Sequence, residues 1–167
     1  KIFFQLSKIL AEKFNKEVIF IPFQKSSDLK LLKAIKEKSG DETSIFLWEN
    51  TDELLKLFLQ LDAVISMRLH GLILAAKYGI PFVPIPGYLK IVNFLHLLGE
   101  KNIPAISGQT EKITAENIYN LILRKISDKE TNINRMSGIL ADLKNKARKT
   151  AELCISQLEL NEARNIL

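Results

Sequence analysis

The sequence predicts a doubly wound α/β domain built on a parallel sheet, and three observations lead there. Short apolar runs rich in β-branched residues recur along the chain without polar alternation, which marks strands buried on both faces. Segments with apolar residues at helical spacing separate these runs. Glycine or proline stands at most of the junctions. Such alternation implies βαβ units with right-handed crossovers, and therefore helices on both sides of the sheet.

Phe4, Ile9, Leu10 and Phe14 share one face, which predicts a helix over 4–14. Glu17-Val18-Ile19-Phe20-Ile21-Pro22-Phe23 reads as a strand that Pro22 stops. Ser27 or Asp28 caps a helix over 29–38, and Gly40 closes it. A strand over 44–48 follows, and Thr51 or Asp52 opens a helix to Leu61. Ala63-Val64-Ile65-Ser66-Met67 is the next strand, with a helix after Arg68-Leu69-His70-Gly71 that runs to Tyr78 and ends at Gly79. Pro81 introduces the strand Phe82-Val83-Pro84-Ile85, Pro86-Gly87 turns the chain, and a helix over 89–98 stops at Gly99. A short strand over 103–106 and a helix over 115–126 complete the α/β part, residues 1–130.

A long amphipathic helix is predicted over 133–160, within a second unit of residues 131–167. Its stripe Ile133, Met136, Leu140, Leu143, Ala147, Cys154, Leu158 lies near heptad spacing and needs a surface to cover it. Packing on this domain or on a missing one is expected, with a self-paired coiled coil as the alternative. The chain opens Lys1-Ile2-Phe3-Phe4 and passes directly into a helical pattern, whereas a doubly wound domain begins with a strand. The expectation is therefore an excised half, with its first strand and an amino-terminal domain upstream.

Composition narrows the function. The 167 residues suit one domain. A formal net charge of +5, from 24 basic and 19 acidic side chains, fits an anionic ligand but argues no nucleic acid. The densest basic run, Lys144, Lys146, Arg148, Lys149, is interleaved with Asp142 and Glu152 and reads as a solvated helix face. The single cysteine, Cys154, is expected to be a buried inert thiol, and it rules out an internal disulfide. With two histidines in the chain, no metal site is expected. No apolar run reaches the roughly 18 residues of a membrane span. Without a signal peptide, the cytoplasm is the expected compartment.

In open parallel sheets ligands bind beyond the carboxyl ends of the strands. The loops there are 23–28, 49–52, 67–71 and 86–90. Ser66-Met67-Arg68-Leu69-His70-Gly71 places a permanent cation and an imidazole one residue apart where a strand becomes a helix. The helix amino terminus favours an anion, Arg68 offers a planar fork for carboxylate or phosphate, and His70 exchanges a proton near neutral pH. The plainer alternative makes Arg68 a structural ion pair and His70 a helix cap. His96 reads as a helix-surface residue.

Residues 62–99 resemble the carboxy-terminal signature of the polysaccharide pyruvyl transferase family, its cell-wall enzymes included. The resemblance is carried by Ser66-Met67-Arg68-Leu69-His70-Gly71, Ala75-Ala76, Gly79-Ile80-Pro81, Tyr88-Leu89-Lys90 and Phe94-Leu95. Upstream, Ile21-Pro22-Phe23-Gln24 followed by Asp28 is similar to the family's Pro-Phe-His…Asp loop, with Gln24 in place of histidine. The loop 86–90 lacks the aspartate of many relatives. The resemblance implies a Rossmann-like domain forming one half of a GT-B-type fold. It implies phosphoenolpyruvate as donor, a glycan acceptor, lipid-linked, and a cyclic pyruvate ketal as product of cell-wall polysaccharide synthesis. It implies His70 as general acid and Arg68 as the donor's anchor, without a cofactor. Gly71, Lys90, Tyr88, Gln24 and Glu49 are further candidate substrate contacts, and the domain alone is expected to be inactive.

Two other readings remain. The donor half of a nucleotide-sugar glycosyltransferase shares the fold, but the acidic residues expected for ribose and sugar are missing between Gly71 and Leu98. A non-catalytic Rossmann-like binding module is the other. A dinucleotide dehydrogenase is excluded for want of a Gly-x-Gly-x-x-Gly after any strand.

Overall fold

The computed structural model describes residues 2–39, 43–85, 88–100 and 114–164. In chain order the elements are α1 (Ile2–Phe14), β1 (Val18–Phe20), α2 (Lys25–Ser39), β2 (Thr43–Ile45), α3 (Thr51–Phe58), β3 (Val64–Ser66), α4 (Leu69–Lys77), β4 (Phe82–Pro84), α5 (Leu89–Leu97), α6 (Ala115–Ser127) and α7 (Lys129–Arg164). The expected strand over 103–106, the Gly40 stop and the Pro86-Gly87 turn lie outside the described residues.

Helices and strands alternate as expected, and the strands pair in parallel. β1 joins β2 with Val18 opposite Thr43, and β3 joins β4 with Val64 opposite Phe82. The expected single sheet is not what the described residues form: they make two separate two-stranded pairs. The strands are three residues long, and proline accounts for part of this. Pro22 follows β1, Pro81 precedes β4 and Pro84 ends it, and none has an N–H to extend a ladder.

The β3–β4 pair is covered on both faces. Val64 and its partner Phe82 point into a cluster with Phe58, Leu72, Ala75, Ile91 and Leu95, which α3, α4 and α5 supply. Ile65 and its partner Val83 point the other way, to Leu6 from α1 and Ile118 and Ile122 from α6. Cβ alternation sends neighbouring residues of a strand to opposite faces. The unalternated apolar runs of the sequence follow from this.

The glycines that end α4 and α5 act as the sequence predicts. Gly79 and Gly99 hold φ of +65° and +70°. The N–H of Ile80 reaches Ala75 O at 2.9 Å, and that of Glu100 reaches Leu95 O at 3.0 Å. These are six-to-one closures that satisfy helix-end carbonyls. At the other end of a helix, α3 starts at Thr51, one of the two residues expected to open it, and Asn50 caps it, its side chain accepting the Glu53 N–H at 3.0 Å.

The 36 residues of α7 extend for about 54 Å. Its first turns belong to the core: Met136 is buried, and Ile139 and Leu140 pack beside it. Glu100 anchors them, accepting from Arg135 and from Lys125 of α6. Farther along, Leu153, Ile155 and Leu158 are exposed. Cys154 is exposed too, which corrects the expected burial of its thiol: this half of the helix has no neighbour among the described residues. None of the described helices is long and apolar enough to cross a membrane.

Candidate functional site

Ser66 sets the geometry where β3 becomes α4. Its hydroxyl accepts the Arg68 N–H at 2.9 Å and donates to the Arg68 carbonyl at 2.9 Å, folding the chain around Met67. Arg68 stands at the helix boundary in extended conformation (φ −106°, ψ 127°), and no side chain among the described residues caps the helix it begins. The amides of that first turn thus lack a side-chain acceptor. Gly71 is buried against the same turn. A Cβ there would lie 2.7 Å from Ser66 Oγ, 3.2 Å from Ser66 Cβ and 3.3 Å from the Phe23 ring. Glycine is required for close approach of helix and strand end.

Arg68 reaches across to the loop after β1. Its Nη2 donates to Asp28 Oδ1 and to Ser27 Oγ, the latter at 3.2 Å. Asp28 in turn accepts the Gln24 N–H on Oδ2 at 2.9 Å and the Ser27 hydroxyl on Oδ1 at 3.1 Å. Burial alone would raise the Asp28 pKa; the Arg68 hydrogen bond, the Gln24 amide, Ser27 and the Arg68 charge outweigh it and hold the carboxyl below its ordinary value. The hydrogen bond to Asp28 likewise raises Arg68, against burial and with help from the Asp28 charge and the nearby Tyr88. The guanidinium is not saturated. Its Nε is buried without an acceptor among the described residues.

The plainer alternative for this loop is therefore half met. Arg68 is ion-paired, but His70 does not cap the helix: it is exposed in the first turn of α4 and makes no hydrogen bond among the described residues. Tyr88 is 51% exposed at the start of α5. Lys90 Nζ sits 5.6 Å from the Tyr88 ring centroid. Gln24 is exposed, and its backbone is engaged with Asp28 and Ser27. Glu49 is exposed as well; Glu53 Oε2 accepts its backbone N–H at 2.9 Å.

The structure thus brings Arg68 and the Gln24–Asp28 turn together, with His70 exposed in the first turn of the same helix end. It gives Gly71 a packing role, and among the described residues no hydrogen bond or ion pair joins Glu49 to Arg68. Sequence reasoning took Ser27 or Asp28 as a helix cap and Asp28 as part of a family-like loop, but paired neither with Arg68, and it gave the Ser66 hydroxyl no role. The available signal was the parallel topology itself, which places the loops after β1 and β3 at one end.

Parallel strand pairs between helices, with a guanidinium and an imidazole just beyond the carboxyl end of β3, define an α/β protein. Residues 5–87 match the polysaccharide pyruvyl transferase family. Through that segment, about half its length, the chain belongs to the polysaccharide pyruvyl transferase family, transferases that act on polysaccharide. The match includes Arg68, His70, Gly71, Gln24 and Glu49 and stops short of Tyr88 and Lys90. No curated protein and no solved structure matches the chain.

Proposed function

We propose that the chain supplies the donor-handling loop for transfer of a pyruvyl group from phosphoenolpyruvate to a cell-wall or surface polysaccharide, forming a pyruvate ketal. One observation carries the reading: within the segment that matches the family, His70 is solvent-exposed two positions after Arg68, at an uncapped helix start. A proton donor must be open to a substrate, and the exposure of His70 supports that role.

In this reading the charged His70 imidazole gives its proton to the methylene carbon of the enol phosphate. The adjoining carbon becomes cationic, and a sugar hydroxyl attacks it and loses its own proton. The phosphate then departs with its ester oxygen. A second hydroxyl closes the ring, leaving a cyclic ketal and inorganic phosphate. Arg68 and the first-turn amides of α4 hold the donor's carboxylate or phosphate. Lys90 and Tyr88 approach from the next loop, and Gly71 lets the helix start sit close to the strand end. Gln24 and Glu49 face the acceptor. The remaining acceptor contacts belong to a second, amino-terminal domain of a GT-B-type protein working in the cytoplasm on a lipid-linked glycan, so residues 1–167 alone bind donor without turnover.

The test is ketal formation by the full-length protein. His70→Ala should lower turnover by roughly 10²–10⁴-fold, the usual share of a general acid, with thermal stability little changed because the side chain is exposed and makes no hydrogen bond among the described residues. Arg68→Ala should raise the KM for phosphoenolpyruvate. Wild-type turnover in both variants ends the reading. The Arg68–Asp28 pair favours one rival, a non-catalytic Rossmann-like module, because a guanidinium engaged by a carboxylate also serves a purely structural end. Titration with phosphoenolpyruvate and with nucleotide sugars separates that module, and a nucleotide-sugar enzyme, from the pyruvyl transferase.

A further inference from the structure

We infer that Asp28 is a positioning residue for the donor site: it fixes the Arg68 guanidinium so that an incoming carboxylate or phosphate meets it in one orientation. This rests on the pyruvyl-transfer reading above and deepens it. An arginine on a loop otherwise samples many rotamers, and each must be surrendered when the ligand binds. Here the partner carboxylate is itself immobilised. Its second oxygen accepts the Gln24 N–H at 2.9 Å, and Ser27, which also meets Arg68 Nη2 at 3.2 Å, donates to the first oxygen at 3.1 Å. Asp28 follows β1 and Arg68 follows β3, so their contact ties together the ends of two strand pairs that share no ladder among the described residues.

The way the guanidinium is occupied separates positioning from plain ion pairing. Asp28 and Ser27 take Nη2 only. Among the described residues Nη1 has no partner, and Nε is buried without one. A fork held through Nη2 keeps a direction in space and retains Nη1 as a donor for a second anion.

Asp28→Asn in the full-length protein tests this, because the amide oxygen can still accept from Gln24 and preserve the start of α2. The KM for phosphoenolpyruvate should rise about tenfold or more with kcat little changed. The same substitution in an Arg68→Ala background should add nothing further. Ser27→Ala, which removes only the lesser partner, should raise KM by about two- to threefold, and it serves if Asp28→Asn does not fold. Wild-type KM in Asp28→Asn while Arg68→Ala raises it sharply would overturn the inference and leave the pyruvyl-transfer reading standing. An undiminished Asp28→Asn effect without Arg68 would also overturn it, since Asp28 would then act on its own account. If Arg68→Ala and His70→Ala both keep wild-type kinetics, it is the underlying reading that fails.

Discussion

A single hydroxyl at Ser66 serves both backbone groups of Arg68, and Gly71 has to lie against it. Gly71→Ala gains helix propensity, worth about 1 kcal/mol. It also drives a methyl into an oxygen that two hydrogen bonds hold still, and overpacking of that sort costs about 1–3 kcal/mol. The net should be destabilising in a urea melt. The double variant with Ser66→Ala should lose less than the two single losses together, because removing the hydroxyl opens the space. Asp28 is the other residue whose environment sets a measurable quantity. Its folded pKa is depressed, so the stability it contributes is complete above the ordinary carboxylate value of about 4 and fades as pH falls through the lower folded value. Wild type should therefore lose more stability between neutral pH and about pH 3 than Asp28→Asn does. Equal losses would contradict the pairing.

Helix ends were legible in the sequence where a backbone conformation demands one residue, and misread where a side chain decides. Gly79 and Gly99 were correctly read as stops because few other residues tolerate positive φ. Their surroundings differ. A Cβ at Gly99 has nothing nearer than 3.5 Å, whereas one at Gly79 meets Ile133 at 3.1 Å. Gly99→Ala should cost only the conformational strain, about 1–2 kcal/mol, and Gly79→Ala more, as chemical denaturation would reveal. The start of α3 was left between Thr51 and Asp52, because neighbouring polar residues can each open a helix, and it falls at Thr51. The reciprocal bonds between Asn50 and Glu53 set it there. The start of α2 was placed late for a related reason: Asp28 reaches back to the Gln24 amide from inside the helix.

Across the whole molecule, α7 divides into a half that belongs to the core and a half that touches nothing described. Met136, 4% exposed among the side chains of α4 and α5, should cost about 2–5 kcal/mol when cut to alanine. Leu158→Glu, at a position 65% exposed, should stay within about 0.5 kcal/mol. Comparable losses from both would mean that the outer half is covered in the free chain. The periodicity of the stripe was plain from the sequence, but periodicity marks a face without naming what covers it.

By itself the sequence determined the alternation of helices and strands, the parallel pairing, the glycine stops and the turn bearing Arg68 and His70, because each depends on near neighbours in the chain. Only the tertiary structure decided that the described strands form two pairs, that Cys154 is exposed, and that Arg68 is held by Asp28. Those depend on residues 40 positions apart brought to one end of the fold, and no local pattern records which of several nearby acids a guanidinium will meet.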